Sequence, residues 1–238
     1  MSLRLTLRDN RRLGMEAKLQ KHHKGRLSRP SLEAETAKLI RTDILNGVWK
    51  SGDRLVEMDL ADSFGVSQST VRGALKYLQA DALVVHKPRR GHFVIEITDQ
   101  DIEEISLLRD TLESLGARLA AQTITDEGRK RLGRLLEEMR SASAAGNRQE
   151  LIELDLAFHR AVVEIAGSNR LRELYKRLVG PALLFLRMAD HLYPEPQMIV
   201  DLHEPLLDAI SNGDAERAFE LAHRHTEPDA QRIVRRPS

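Results

Sequence analysis

The sequence contains no cysteine, which excludes disulfide bonds and thiolate metal sites. Aromatic residues make up only 4% of the 238 residues, so the core must consist mainly of leucine, alanine, isoleucine and valine. That mixture, with abundant glutamate and arginine, favours helices. No apolar run is long enough to cross a bilayer, and the N-terminus shows no apolar segment of the signal-peptide type. We therefore expect a mainly helical, cytoplasmic protein with no membrane partner.

The net charge of +1 is distributed unevenly along the chain. Residues 1–30 carry nine basic and two acidic side chains, residues 31–98 carry nine of each, and residues 99–238 carry 19 basic and 25 acidic side chains. A basic arm ahead of an acidic body predicts an anionic partner near the N-terminus, and a solvated, disordered tail is the alternative. The chain thus divides into a basic arm (1–30), a first domain (31–98) and a second domain (99–238).

Residues 31–98 show three helical segments followed by a hairpin. The second helix ends at Gly65, and the third opens with Ser67 as an N-cap. Two β-branched patches, 84–85 and 93–95, flank a basic tip and predict a two-stranded ribbon. Two short helices joined by a tight glycine turn, with a basic ribbon behind them, describe a winged helix-turn-helix.

In a domain of this kind, the second helix of the pair enters the major groove of DNA with its N-terminal end. The ribbon tip is suited to phosphate or minor-groove contacts. We therefore predict a double-stranded DNA operator as partner, contacted by Arg41, Ser67, Gln68, Ser69, Thr70, Arg72, Lys87, Arg89, Arg90 and Gly91. Taken singly, these residues have plainer interpretations, since Ser67 can simply cap its helix and the ribbon tip can be a solvated loop. Their combination in this order is a more specific indication of a DNA-binding domain than any one of them alone.

After residue 98 the pattern is helical only. Glycine, asparagine and proline breaks separate six predicted helices, at roughly 99–122, 126–144, 148–166, 169–192, 196–211 and 214–234.

Three of these helices carry an acidic or imidazole side chain on their apolar face. Asp155 and His159 lie four residues apart on one helix, His203 lies on the next-to-last helix, and His225 lies on the last. Burying such groups is costly unless each has a partner. One aspartate and three histidines suit a divalent transition metal such as Zn²⁺, Ni²⁺ or Mn²⁺. The alternative is a set of satisfied polar groups in the core.

Arg109 and Glu113 lie on the inward side of the first of the six helices. The plain interpretation is an ion pair between residues i and i+4. The functional interpretation is that Arg109 clamps the carboxylate of a small effector beside the metal. Asn169 and Arg187 are further candidates for the wall of the effector cavity.

The stretches SGDRL, LADSFGVS, TVRGAL and RRGHFV stand in an order and spacing that resemble the DNA-binding domain of the GntR family of bacterial transcription regulators, over residues 36–95. The family usually carries Arg where this chain has Gln68, and Glu where it has Gly73. The Gln68 departure implies an operator that differs from the usual one.

The stretches LDLAFHRAVVEIAGSNRL, LHEPLLDAISNGD and AFELAHRH make residues 99–233 similar to the all-helical FCD effector domain of the FadR subfamily of those regulators. Six helices favour its VanR-like branch. The resemblance implies metal ligands at Asp155, His159, His203 and His225, and it supports an arginine at position 109. Pro205, two residues after His203, is a departure that predicts a kink and a shifted ligand.

We therefore expect a homodimeric, ligand-responsive transcription factor and not an enzyme. A small organic acid bound near the metal changes operator affinity, and the linker near residues 95–99 transmits the change. Two alternatives stay open. One is a metal-dependent hydrolase with an unrelated basic domain, and the other is a regulator whose metal is purely structural.

Overall fold

The computed structural model describes the backbone of residues 31–188 and 195–234, and the side chains of residues 31–187 and 195–224. The basic arm 1–30 and the side chain of His225 therefore lie outside the described residues. In the described part of the chain, none of the helices has the length and apolar character needed to span a membrane.

The N-terminal half contains three helices and three short strands: α1 (Leu32–Leu45), β1 (Arg54–Leu55), α2 (Glu57–Phe64), α3 (Gln68–Ala80), β2 (Val84–Lys87) and β3 (Gly91–Val94). The predicted breaks are confirmed. Gly65 ends α2 with a φ of 64°, a left-handed conformation that glycine adopts without steric cost. The Ser67 hydroxyl accepts a hydrogen bond from the backbone N–H of Thr70 and so caps α3.

The sheet has three antiparallel strands in the order β1-β3-β2. The predicted ribbon is β2 and β3, with Val84 opposite Val94 and Lys87 opposite Gly91. The sequence pattern missed β1, because a strand of two residues is too short to show alternation. The core of this half lies between the sheet and the three helices, around Ile40, Leu75 and Leu78.

The C-terminal half contains six helices among the described residues: α4 (Asp99–Thr123), α5 (Asp126–Ala144), α6 (Arg148–Ile165), α7 (Asn169–Met188), α8 (Pro196–Ser211) and α9 (Ala215–Val234). Local caps explain where they start. Thr98 and Asp101 form a capping box at the start of α4, and Thr125 and Asn147 cap α5 and α6. The predicted fold class, a winged helix-turn-helix followed by six helices, is confirmed.

The core of the C-terminal half is rich in alanine and leucine, as the shortage of aromatics predicts. Helix α6 supplies Phe158, Ala161 and Val162 to it, all at 1% exposure or less. Since Asp155 and His159 project from the same face of α6, they are carried into the core with these apolar side chains.

Helix α7 belongs to both halves. Leu171 and Tyr175, near its start, pack in the C-terminal core, whereas Leu184 is buried in the core of the N-terminal half. Between them, Gly180 lies so close to α3 that a Cβ added there would stand 2.1 Å from the carbonyl oxygen of Asp81. The described residues from Glu33 onward belong to one compact unit, and α7 is one of the connections that join its two halves.

We predict that Gly180→Ala destabilises the protein. The added methyl group meets backbone, which cannot rotate away, so the contact between the halves must open at a cost of about 1–3 kcal/mol. Gly133→Ala, in α5, is the matched control. Its added carbon meets no described atom within 4 Å, and the gain in helix propensity is up to about 1 kcal/mol.

Thermal unfolding followed by circular dichroism checks both variants. The midpoint should fall for Gly180→Ala and rise slightly for Gly133→Ala. Equal midpoints for the two variants would contradict the close packing of α7 on α3.

Candidate functional site

The polar start of α3 is exposed and internally hydrogen-bonded. The hydroxyl of Ser67 lies 2.7 Å from that of Ser69 and 2.8 Å from that of Thr70. Gln68, the first residue of the helix, borders a hollow of about 270 Å³ between α3 and the ribbon, together with Gly91. A helix N-terminus with exposed hydroxyl and amide groups can donate to and accept from DNA.

Two of the arginines predicted to contact DNA have acidic partners within the protein. Arg72 donates to Glu57 from Nε at 3.1 Å and from Nη2 at 2.8 Å, which joins α3 to α2. Arg41 forms an ion pair with Asp81, which joins α1 to the end of α3. Arg41 thus has a structural partner that the sequence pattern did not reveal, and its DNA contact stays a prediction.

The ribbon tip carries exposed cations over an aromatic ring. The Lys87 ammonium lies 4.9 Å from the centroid of Phe93 and 3.2 Å from Glu96, and the Arg90 guanidinium lies 5.6 Å from the same ring. Arg89 has a φ of 61° and Gly91 a φ of 98°, so the tip is a tight turn that projects its cations outward. This arrangement suits contacts with a phosphate backbone.

The structure brings three of the four predicted metal ligands together. Asp155 and His159 from α6 and His203 from α8 are at most 2% exposed, and one ligand atom from each lies within 4.8 Å of the others. The side chain of His225, the fourth predicted ligand, is outside the described part of the chain. Pro205 lies inside α8 without ending it, and His203 takes part in the cluster.

The hydrogen bonding of His203 decides which of its nitrogens faces the cluster. Its Nδ1 lies 2.7 Å from the carbonyl oxygen of Ile199, and a carbonyl can only accept, so Nδ1 carries a proton. Nε2, the nitrogen that carries the lone pair in the neutral form of this ring, lies 3.1 Å from Oδ1 of Asp155. A carboxylate oxygen and an imidazole lone pair at this distance suit a shared cation.

A buried charge network surrounds these ligands. Arg109 donates from Nε to Glu113 at 2.9 Å, and its Nη2 lies 3.9 Å from Asp155. Glu113 also accepts from the hydroxyl of Tyr175 at 2.7 Å and lies 3.3 Å from Nδ1 of His159. Helical periodicity predicted the inward face for Arg109 and Glu113, but Tyr175 was not predicted, since a lone tyrosine at helical spacing resembles an ordinary core residue.

The network keeps Glu113 ionised. Burial alone would raise the pKa of its carboxyl, but the charges of Arg109 and His159 and the hydrogen bonds from Tyr175 and Arg109 lower that pKa below its ordinary value of 4.5. Burial, and then the negative charge of Glu113, raise the pKa of the Tyr175 phenol well above 10.0. Tyr175 therefore remains a neutral donor to an ionised acceptor.

Asn169 and Arg187 make contacts outside the cluster, and their place in an effector cavity stays a prediction. Asn169 is exposed and accepts a hydrogen bond from Arg172, because it stands at the first, outward turn of α7. Arg187 contacts Glu153 and the end of α1, where its Nη1 donates to Oδ1 of Asn46 at 3.1 Å. Its position near the far end of α7 places it between the two halves.

We predict that Glu113→Gln destabilises the protein by about 3 kcal/mol at neutral pH, because Arg109 remains buried without a full negative partner. The double variant Arg109→Met/Glu113→Leu should lose less stability than Glu113→Gln, since it removes both charges together. Urea unfolding of the wild type and of both variants checks this. A double variant that is less stable than Glu113→Gln would contradict it.

Comparisons with known proteins agree with the geometry of both halves. Residues 32–94 match the model of the bacterial regulatory proteins of the gntR family, and residues 104–228 match that of the FCD domain. The chain is 30% identical to the HTH-type transcriptional regulator YdhC of Bacillus subtilis over 184 residues, which cover 76% of this chain and 82% of that protein.

Two further relatives extend over most of the chain. The gluconate operon transcriptional repressor of Bacillus licheniformis is 28% identical over 204 residues, or 84% of either chain. The solved structure of E. coli McbR/YncC has the same fold, with a TM-score of 0.71 at 24% identity over 86% of this chain and 97% of that one. The chain is therefore a DNA-binding transcriptional regulator that belongs to the gntR family of bacterial regulatory proteins and carries an FCD domain as its C-terminal half.

Proposed function

We propose that a small organic acid controls the operator affinity of this regulator by binding beside a divalent metal in the C-terminal half. The observation that carries the proposal is the buried cluster of Asp155, His159 and His203, whose ligand atoms lie within 4.8 Å of one another. We further propose that the protein is not an enzyme, acts in the cytoplasm and falls in the VanR-like branch of the FadR subfamily.

In this proposal the start of α3 reads the operator in the major groove. Gln68 can pair with adenine and Arg72 with guanine, while Ser67, Ser69 and Thr70 bind phosphate or base edges. Lys87, Arg89 and Arg90 contact the neighbouring backbone. These side chains are exposed or half-buried and lie on the N-terminal half of the protein, which supports the assignment.

The donor set at the cluster fits Zn²⁺, Ni²⁺ or Mn²⁺, since it combines a carboxylate with imidazole nitrogens. Asp155, His159 and His203 would hold the ion, with His225 as the fourth ligand. A bound ion would offer coordination positions to the carboxylate of an effector. Arg109 lies 3.9 Å from Asp155 and would supply charge-assisted hydrogen bonds to the same carboxylate.

We also propose that the effector signal passes along α7 as well as through the linker near residues 95–99. Near its start, Tyr175 is hydrogen-bonded to Glu113, which contacts the cluster. Further along, Gly180 packs on Asp81 at the end of α3, and Arg187 holds the end of α1. A change at the cluster that moved Tyr175 would therefore move the reading helix.

A homodimer is the expected assembly, because a helix-turn-helix protein reads two half-sites with two copies. Leu107, Leu108 and Leu115 lie within one arc of α4 and are 39–65% exposed, and Leu174 on the adjoining helix α7 is 58% exposed. We propose that this face, in the half that does not contact DNA, binds the same face of a second copy.

We predict about one equivalent of transition metal per chain in protein purified without chelators. His159→Ala should lose it, whereas His223→Ala should keep it, since His223 is 54% exposed and pairs with Asp110 outside the cluster. Elemental analysis measures the metal, and circular dichroism verifies that the variants fold. If the wild type holds no metal even after reconstitution with Zn²⁺, Ni²⁺ and Mn²⁺, the cluster is a set of polar core residues and not a metal site.

We predict that two chains bind one duplex selected from a randomised library, with an affinity that falls steeply with salt. The double variant Arg89→Gln/Arg90→Gln should lower the slope of log K against log salt by about two, since it removes two phosphate contacts. Arg134→Gln, an exposed charge on α5, is the control and should leave the slope unchanged. Equal slopes for both variants would contradict the role of the ribbon.

The same assay tests effector control. One relative represses a gluconate operon, so gluconate is the first probe, followed by other small carboxylates. A probe should change operator affinity in the wild type and have no effect in His159→Ala. Metal loss without any change in the response to a probe would leave the metal a purely structural role.

A further inference from the structure

Glu57 places a carboxylate on the surface that faces DNA. It is the first residue of α2, and its side chain is 26% exposed beside the start of α3. A negative charge here repels the phosphate backbone and lowers affinity for any duplex. The contacts of this carboxylate indicate what it contributes in spite of that repulsion.

Glu57 accepts hydrogen bonds from one edge of the Arg72 guanidinium, the edge formed by Nε and Nη2. Nε and Nη2 of Arg72 both donate to Oε2, at 3.1 and 2.8 Å. Nη1 makes no hydrogen bond to a described residue, so the end formed by Nη1 and Nη2 remains available. An arginine approaching guanine end-on uses that pair of nitrogens for O6 and N7. Glu57 thus fixes the direction in which Arg72 presents its free end.

Other neighbours reinforce this geometry. Nδ1 of His92, on β3, lies 3.8 Å from Oε1 of Glu57, and Arg54 on β1 borders the same hollow as Glu57 and Gln68. The hydrogen bonds from Arg72 lower the pKa of the Glu57 carboxyl, which stays ionised at neutral pH.

A purely structural role explains the pair less well. Leu60 of α2 and Val71 and Leu75 of α3 are at most 1% exposed and already hold the two helices together. Arg72 is 57% exposed, and an ion pair so open to solvent adds little to stability.

We propose that Glu57 is a specificity-determining positioning residue. It orients Arg72 toward a guanine in the major groove and, through its charge, weakens binding to unrelated DNA. The inference rests on the proposed function, because it requires that Arg72 contacts the operator.

Four variants of the full chain test this: Glu57→Gln, Arg72→Gln, the double variant, and Asp62→Asn. The last is the matched control, since it removes one exposed carboxylate from the same helix. Dissociation constants are measured for the selected operator, for operators with single base-pair changes and for an unrelated duplex, over a range of salt. Circular dichroism verifies folding.

Glu57→Gln should bind the unrelated duplex several-fold more tightly and lose about tenfold of the preference for the operator, as expected from one misdirected bidentate contact. The loss should concentrate at one base-pair position, the same position as in Arg72→Gln, and the double variant should match Arg72→Gln. Arg72→Lys keeps the charge but removes the guanidinium edge that Glu57 binds. It should therefore also lose discrimination at that base-pair position.

Three outcomes would overturn the inference. Glu57→Gln could keep the wild-type discrimination as Asp62→Asn does, its effect could add fully to that of Arg72→Gln, or it could lose affinity for all duplexes equally. If Arg72→Gln itself leaves discrimination unchanged, the proposed contact of Arg72 fails as well, which separates that failure from a failure of Glu57 alone.

Discussion

The C-terminal half is arranged around charged side chains that are buried and must therefore be paired. Arg109, Glu113 and Asp155 are each at most 2% exposed, in a core that is otherwise mainly apolar. Water cannot stabilise them there, so each depends on the others for its charge balance. Tyr175 and the two imidazoles complete that balance. Removing or adding a charge at the cluster therefore changes the electrostatic balance of every residue in the network.

In the proposed function, that dependence would connect the cluster to the DNA-binding half through α7. Tyr175 lies on α7, and the same helix continues into the N-terminal core through Leu184. The absence of a side chain at Gly180 lets α7 approach the backbone at the end of α3. In the proposed function, α7 would pass a displacement from one core to the other, with Gly180 and Pro181 lying between its two core contacts.

On the surface assigned to DNA, three of the cations are exposed or half-buried and form ion pairs with carboxylates of the protein itself. Arg41 pairs with Asp81, Arg72 with Glu57, and Lys87 with Glu96. Each carboxylate reduces the general attraction of its partner for phosphate. If these cations contact DNA as proposed, such pairing would lower the affinity for arbitrary DNA and leave discrimination to the geometry of the side chains.

The order and type of the helices follow from the sequence by itself, because caps, glycine breaks and apolar periodicity are local signals. Each of the six predicted C-terminal helices starts within one residue of its observed position, from Asp99 to Ala215. The inward aim of Asp155, His159 and His203 was predictable for the same reason, since the helical period places them on apolar faces.

Tertiary structure alone decided the partners. Nothing local brings Tyr175 to Glu113, Asp81 to Arg41, or Arg187 to the end of α1, as these residues lie 40 or more positions apart. Arg187 has partners in Glu153 and Asn46 that the period of a helix does not indicate, because it gives the direction of a side chain but not its neighbours. Which cation a carboxylate meets depends on how whole helices pack, and that is a property of the assembled core.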